Sequence, residues 1–435
     1  MLIAIDASRA NRSHKSGTEW YSYYLIKYLS WLDRENQYIL YTDKPLSGGL
    51  ADLGNMNLEI EDVNRLPVYN KKGCQIIKSP FGNFRGHVLK WPFSCFWTLA
   101  RLSLQMFFDR PDVLFVPAHG LPLWRSGKVV NTIHDVAFRS HPTDNVYDKR
   151  RLGPSRSLFL GRIVSLFVRT ITIGRFRANS LDYLNWSTEY SLKHSDLILA
   201  VSEHTKKEII ANYPRCDASK IKVVHNGYNE DIYHEQEDQP KVSDILNKYG
   251  LTKPYILYVG RLERKKNTPF LIEAFAKLKQ RRPDLKEKLV LVGDASFGYN
   301  EVKCLIDQNG LSSEIILAGW VKEEDMPYIT AGAEVYVLPS RHEGFGITIL
   351  QALASGVPTV ASNIPVLREV AGEAAIFFNP NSKEEMSLAM EKLIVNKNLR
   401  VELIARGLER VKNFGWEKCA QETLATIEMI KTMKK

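Results

Sequence analysis

The sequence predicts an α/β protein built of two doubly wound halves, each a mainly parallel sheet between helix layers. Short apolar runs alternate with helical stretches along most of the chain. Those runs are rich in Val, Ile and Leu without strict alternation, as in strands buried on both faces. The length, 435 residues, exceeds one ordinary domain and suits two.

In the first half the expected strands are Leu2–Asp6, Tyr38–Thr42, Leu58–Val63, Val113–Val116, Val129–His134, Leu197–Val201 and Ile221–His225. The expected helices are Thr18–Leu32, Trp91–Phe108, Ser155–Ile173 and Glu203–Asn212. Trp91–Phe108 precedes a strand and reads as a buried crossover helix. The stretch 228–243 carries Asn, Asp, Glu, Gln and Pro with little apolar content and reads as a linker. It separates a first domain, 1–227, from a second, 244–415.

In the second half Tyr255–Val259, Lys288–Val292, Ile315–Ala318, Val335–Leu338, Pro358–Ala361 and Ala375–Phe378 read as strands. Helices are expected at Thr268–Gln280, Val302–Gln308, Glu324–Thr330, Ile347–Ala354, Pro365–Val370 and Glu384–Val395. Ligands of open α/β sheets bind beyond the carboxyl ends of the strands. Two such Rossmann-like halves facing across a cleft would hold a ligand between them.

Composition narrows the class. Hydrophobic residues make up 44% and charged residues 25%, a globular balance. Five scattered cysteines without a CxxC pair argue for a reducing compartment and against structural zinc. Met1–Asp6 reads as a buried strand rather than a signal peptide, and no run of apolar residues is long enough to span a bilayer. A cytoplasmic protein is the expectation.

The net charge of +10 is concentrated. Residues 139–177 hold nine Lys or Arg against two acids, interleaved with apolar side chains. Such a basic amphipathic stretch suggests peripheral attachment to an anionic membrane at its inner face. No aromatic–basic RNA motif or helix-turn-helix is apparent, so nucleic acid is not expected as a partner.

The chemistry-bearing signals lie at strand ends. The run Val335–Leu338 leads into Pro339-Ser340-Arg341-His342-Glu343-Gly344-Phe345-Gly346, then an apolar helix that stops at Gly356-Val357-Pro358. Free amides and the dipole of that helix start favour a phosphate. Glu343 cannot bind phosphate and must face neutral hydroxyls. A sugar joined to a diphosphate satisfies both demands. Tyr255–Val259 leads into Gly260-Arg261 and on to Lys266-Asn267, where Asn267 reads as a helix N-cap. Arg261 and Lys266 would give the diphosphate its fixed positive charge.

In the first half His134 follows a strand, where an imidazole can donate to a sugar hydroxyl or a phosphate oxygen. Gly17 follows the first strand and lets backbone approach a ligand. No GxGxxG, P-loop, HExxH or Asp-x-Asp pattern occurs, so neither a dinucleotide cofactor nor a metal is expected.

These residues together resemble glycosyltransferase family 4, retaining enzymes of the GT-B fold. The matches are Gly260-Arg261 with Lys266-Asn267, Gly319-Trp320-Val321, Pro339-Ser340 with Glu343-Gly344-Phe345-Gly346, and Ala354-Ser355-Gly356-Val357-Pro358. Gly17, His134-Asp135, Val201-Ser202-Glu203 and Asn226-Gly227 match in the first half, and Phe414-Gly415-Trp416-Glu417 resembles the entry to a final helix, 416–435, that returns to the first domain.

The resemblance implies a metal-independent hexosyltransferase acting in polysaccharide or lipopolysaccharide assembly. Its donor would be a nucleoside diphosphate sugar, with GDP-mannose favoured, and its acceptor a glycan or lipid-linked glycan. Glu343 and His134 would be catalytic. Arg261 and Lys266 would hold the diphosphate, Phe345 and Gly346 would offer amides, Trp320 and Val321 would flank the base, and Gly17 would meet the donor phosphate. One position departs from the family's Glu-x(7)-Glu pattern: the second acid is Gln351, which would still reach the ribose. A sugar-nucleotide epimerase and a non-catalytic sugar-nucleotide-binding protein are the alternatives.

Overall fold

The computed structural model describes the chain except residues 57–65, 72, 92–96, 141–169, 171–178, 237, 295–298 and 433–435. It forms two compact units, Met1–Gly227 with Trp416–Lys435, and Tyr228–Gly415.

The sheet of the first unit comprises β1 (Leu2–Asp6), β2 (Gln37–Thr42), β3 (Gln75–Ile76), β4 (Phe84–Val88), β5 (Val113–Val116), β6 (Lys128–Ile133), β7 (Leu197–Ala200) and β8 (Ile221–Val223). Their order is β3-β4-β2-β1-β5-β6-β7-β8, with only the β3–β4 pair antiparallel. The strand order reverses between β1 and β5, and Ile3 pairs there with Val113. Helix Gly17–Leu32 follows β1, held at its start by a Ser16/Glu19 capping box. The closing helix Trp416–Thr432 packs on it. Trp416 is buried, stacked on Tyr24 at 5.4 Å and edge-on to Tyr21 at 6.0 Å.

The second unit holds β9 (Tyr255–Val259), β10 (Lys288–Val292), β11 (Ile315–Gly319), β12 (Val335–Leu338), β13 (Thr359–Ser362) and β14 (Ala375–Phe378). All pair in parallel in the order β11-β10-β9-β12-β13-β14. The reversal lies between β9 and β12, where Val335 pairs with Ile256 and Tyr336 with Leu257. Strands and helices bury Ile256, Tyr258, Leu271, Phe275, Leu289 and Val337 in one core.

Several elements depart from the sequence reading. β4 was not anticipated because Arg85, Gly86 and His87 break its apolar pattern. Gly86 has to be small: a Cβ there would stand 2.9 Å from Leu46 Cδ1. Helices Ser180–His194 and Lys397–Val411 escaped because polar side chains dilute their apolar stripe. Residues 228–243 are not a bare linker. Tyr228 and Tyr233 are buried in the second unit, and helix Gln239–Lys248 starts there on an Asp238 cap.

Of the segment expected as the buried crossover helix Trp91–Phe108, residues 92–96 lie outside the described residues, and the chain from Trp97 to Asp109 is helical and only half buried. Leu99, Leu102 and Met106 face the core, whereas Leu104, Phe107 and Phe108 face outward. The expected strand Leu58–Val63, all of the expected helix Ser155–Ile173 but Thr170, and nearly all of the basic stretch 139–177 lie outside the described residues.

Candidate functional site

The loops after β9 and β12 meet because those two strands are neighbours at the reversal of the second sheet. In doubly wound sheets that reversal opens a crevice at the strand ends. Three links stitch the loops together. Lys266 Nζ donates to Glu343 Oε1 at 2.7 Å, the Arg341 amide donates to the Lys265 carbonyl at 3.3 Å, and Arg341 Nε donates to Asn267 Oδ1 at 3.1 Å. Ser340 Oγ adds a second hydrogen bond to Glu343 Oε1, at 2.7 Å. The Lys266 and Glu343 side chains keep only 21% and 12% of their surface exposed. A fixed cation and a fixed carboxylate thus sit side by side in a largely desolvated place, where both interact more strongly than in water.

Asn267 stands at the N-cap position of helix Thr268–Arg281, as its place in the sequence suggested, and its carbonyl accepts from the Leu271 amide at 3.1 Å, but its side chain does not cap the helix. Its backbone is left-handed (φ 61°), a conformation Asn tolerates, and its amide donates to the Pro380 carbonyl at 2.8 Å. It is a bridge between loops. Helix Thr268–Arg281 has a proline in its first turn.

Gly346 caps helix Ile347–Ala354 with φ 91°, and a Cβ there would stand 2.8 Å from Leu367 Cδ2. That glycine lets the chain turn sharply between β12 and the helix; the Ile349 amide turns back to the Gly346 carbonyl at 3.0 Å, and the amides of Ile347 and Thr348 precede it in the first turn. Phe345 buries its ring edge-on to Phe414 at 5.8 Å, leaving only its backbone to offer a ligand. Gln351 stands one turn into the helix, half-buried, and its amide makes no hydrogen bond among the described residues. Arg261 is largely exposed, 3.4 Å from Glu263. Trp320 and Val321 follow the edge strand β11, Trp320 exposed and Val321 buried. The structure therefore brings Lys266 and Glu343 together, with Gly346 three residues on, and leaves Trp320 and Val321 after β11, two strands away from β9.

The sequence reading assigned no role to Ser340 or Gly293. Gly293 ends β10 at φ 143°, and a Cβ there would lie 2.0 Å from the Gly260 carbonyl oxygen. Only glycine lets Gly260 and Arg261 take their place. The signal was present, a glycine directly after a buried strand, but it is common enough to pass unnoticed.

In the first unit Gly17 begins its helix with open space around its Cβ position. Asp6, unremarked in the sequence, ends β1 at the strand reversal. It is buried, accepts from the Ser8 hydroxyl at 2.6 Å and from the Thr98 hydroxyl at 3.0 Å, and burial raises its pKa. His134 follows β6, its ring edge-on to Tyr21 at 4.8 Å. Its Nε2 lies 3.1 Å from the Pro117 carbonyl, which can only accept, so Nε2 carries the proton. Burial pulls the His134 pKa down to about 4, so the ring is neutral at pH 7 and Nδ1 is an acceptor. The one ring proton is thus directed at the Pro117 carbonyl, which leaves Nδ1 with acceptor capacity.

The same geometry has a pH signature. Because the folded-state pKa lies below the ordinary value near 6.5, the stability His134 contributes is present above that value. It is lost as pH falls towards about 4, on the order of 3 kcal/mol in all. Urea midpoints between pH 7.5 and 4.5 should fall less steeply in His134→Asn than in the wild type, and equal slopes would contradict this assignment.

Among the described residues no group of three or more His, Cys, Asp or Glu could hold a metal ion, and no helix is long and apolar enough to cross a membrane.

Comparison with known proteins places the chain. The family profile Glycosyl transferases group 1 matches residues 241–410, and the profile Glycosyltransferase Family 4 matches residues 65–232. O-antigen chain mannosyltransferase B of Escherichia coli is 32% identical over 251 residues, 57% of this chain and 64% of that protein. Mannosylfructose-phosphate synthase of Agrobacterium fabrum (strain C58) is 28% identical over 241 residues, 54% of this chain and 53% of the relative. The matched region thus spans less than two thirds of these curated relatives.

Among solved structures, sucrose-phosphate synthase from Thermosynechococcus elongatus superimposes with a TM-score of 0.69 at 16% identity, covering 99% of both chains. WaaG, a glycosyltransferase involved in lipopolysaccharide biosynthesis, does so with 0.67 at 12% identity, again over 99% of both. At such identities the likeness speaks for the fold alone, and that fold is GT-B, with two Rossmann-like units.

Proposed function

This chain belongs to the group 1 glycosyltransferase family, and from that premise we propose that it transfers a sugar, with retention of configuration, from a nucleoside diphosphate sugar to a glycan or lipid-linked acceptor in cell-surface polysaccharide assembly. GDP-mannose is the first donor to test, since mannosyltransferases stand among the relatives. The reading sets the reaction at the inner face of a membrane.

The observation that carries the proposal is the Lys266–Glu343 pair at the β9/β12 reversal. One group has the charge a leaving diphosphate needs and the other accepts from sugar hydroxyls, and they are 2.7 Å apart. In this reading the diphosphate takes Lys266, Arg261 and the amides that start helix Ile347–Ala354, while the sugar hydroxyls take Glu343. Gly17 admits the donor phosphate, Trp320 and Val321 flank the base, and His134 Nδ1 accepts from a hydroxyl of the transferred sugar. The bond from the anomeric carbon to the phosphate oxygen breaks as the acceptor hydroxyl attacks the same face. Its proton passes to the departing phosphate. Preorganised positive charge stabilises that leaving group without a metal.

Incubation with a panel of nucleotide sugars and acceptors, reading out released UDP or GDP, tests the proposal. Acceptor-dependent release supports transfer. Interconversion of the donor's sugar without release would favour an epimerase, and binding without turnover a binding protein.

Gln351 gives a second handle. Its unpaired amide offers one acceptor where a carboxylate would offer two charged oxygens. Gln351→Glu should tighten donor binding about 5–30-fold, the worth of a charge-assisted hydrogen bond to ribose. Calorimetric titration with the donor checks this, and a large loss of affinity would show that glutamine serves some other ligand.

A further inference from the structure

The first unit exposes an apolar cluster that the transfer reading does not use. Along the helical segment Trp97–Asp109 the inward stripe is Leu99, Leu102 and Met106, and a second stripe, Leu104, Phe107 and Phe108, points the other way. Those three side chains are 58%, 50% and 68% exposed, and Trp124 beside them is 42% exposed. Phe107 packs edge-on against Phe108 at 5.6 Å and tilted against Trp124 at 5.1 Å, so these three form one patch, with Leu104 one helical turn before Phe107 and Phe108. The loop that carries Trp124 is docked on the helical segment: the Trp124 amide donates to Ser103 Oγ at 3.3 Å and the Leu123 amide to the Leu99 carbonyl at 3.4 Å. The patch is therefore built, with its apolar faces held outward.

Its borders are cationic. Arg101 is half-exposed, and the exposed Arg110 follows the helix in a left-handed turn (φ 42°), its Nε donating to the Phe107 carbonyl at 3.3 Å and its guanidinium 5.8 Å from the Phe107 ring. The nearby acids are engaged elsewhere. Asp109 turns inward, accepting from the Tyr41 hydroxyl at 2.6 Å and from Gln105 Nε2 at 3.0 Å, and Asp112 accepts from the Leu2 amide at 2.7 Å. Exposed Phe, Leu and Trp beside arginines suit a water–lipid boundary, where the rings enter the acyl region and the guanidinium groups meet phosphates. The chain's charge of +10 favours an anionic surface.

We propose that Leu104, Phe107, Phe108 and Trp124, with Arg101 and Arg110 at their border, form the surface by which this protein docks on an anionic lipid bilayer. The proposal is independent of the transfer reading, and it concerns residues other than the basic stretch 139–177.

The test is flotation of the full chain with vesicles of phosphatidylcholine, with and without about 30% phosphatidylglycerol, at low salt and at about 0.5 M NaCl, where exposed charge is screened. The wild type should float with the anionic vesicles and keep part of that binding at high salt. L104S/F107S/F108S should lower the partition coefficient about tenfold or more at both salts, having lost the apolar contact. R101E/R110E should lose the low-salt binding and retain the high-salt remainder. F108S alone changes the most exposed side chain, cannot disturb the core, and should shift partition in the same direction; unchanged thermal midpoints confirm that each variant folds. Wild-type flotation by the triple variant would overturn the proposal, because the net charge would then act elsewhere. A wild type that stays in solution would also overturn it. So would a wild-type dimer in sedimentation velocity that the triple variant loses, which would assign the face to a second copy.

Discussion

Lys266→Ala should weaken donor binding by roughly 10–150-fold, the equivalent of ~1.5–3 kcal/mol for one hydrogen bond to a charged group. The ammonium lies 2.7 Å from Glu343 Oε1 and the side chain is about four-fifths buried, so water replaces it poorly. Removing it also leaves a mostly buried carboxylate with the Ser340 hydroxyl as its remaining hydrogen-bond donor among the described residues. Breaking a fully buried pair costs ~3–5 kcal/mol, and this partly wetted one should cost about 2. Calorimetry with the donor and urea denaturation separate the two losses. A variant that loses stability but binds donor normally would confine Lys266 to a structural part.

Glu343→Gln divides differently. Glutamine keeps the size, and its carbonyl can still accept from Lys266 and Ser340, so stability should change by less than ~1 kcal/mol. What disappears is the negative charge that holds the sugar hydroxyls. Turnover should fall by about 10²–10³, the range seen when one preorganised polar group is taken from a transition state, while donor affinity moves only a few-fold. Reading kcat and KM separately tests this. Near-normal turnover would remove Glu343 from the chemistry.

The contrast between these two variants reflects what the sequence could and could not disclose. β9 and β12 were legible because Tyr255–Val259 and Val335–Leu338 are unbroken apolar runs followed by glycine-containing loops. The loops could therefore be assigned to strand ends, where ligands bind. That the two strands are neighbours, and that Lys266 meets Glu343 across 77 positions of chain, depends on sheet order, which no local pattern encodes. The side chain of Asn267, which does stand at the N-cap position, differs from expectation for a related reason. Asn is a good cap, but here its side chain reaches Arg341 and Pro380, partners that only the tertiary fold supplies.

His134 shows the same limit in its chemistry. Its place after β6 could be read, but its protonation could not, because the Pro117 carbonyl and the burial that keep it neutral come from packing. The apolar richness of Trp91–Phe108 was equally plain. Which stripe would face the core was not, since Leu99, Leu102 and Met106 compete with Leu104, Phe107 and Phe108 on equal terms until a sheet lies beneath one of them.

The account rests on a diphosphate seated where β9 and β12 end. Its most direct test is titration calorimetry of the full chain with GDP, UDP and the matching free monosaccharides, in the wild type and in Lys266→Ala. The account expects saturable binding of at least one nucleoside diphosphate by the wild type, weakened at least about tenfold in the variant, and no measurable heat from the sugars alone. Equal affinity in the two proteins, or no heat from any diphosphate, would contradict it.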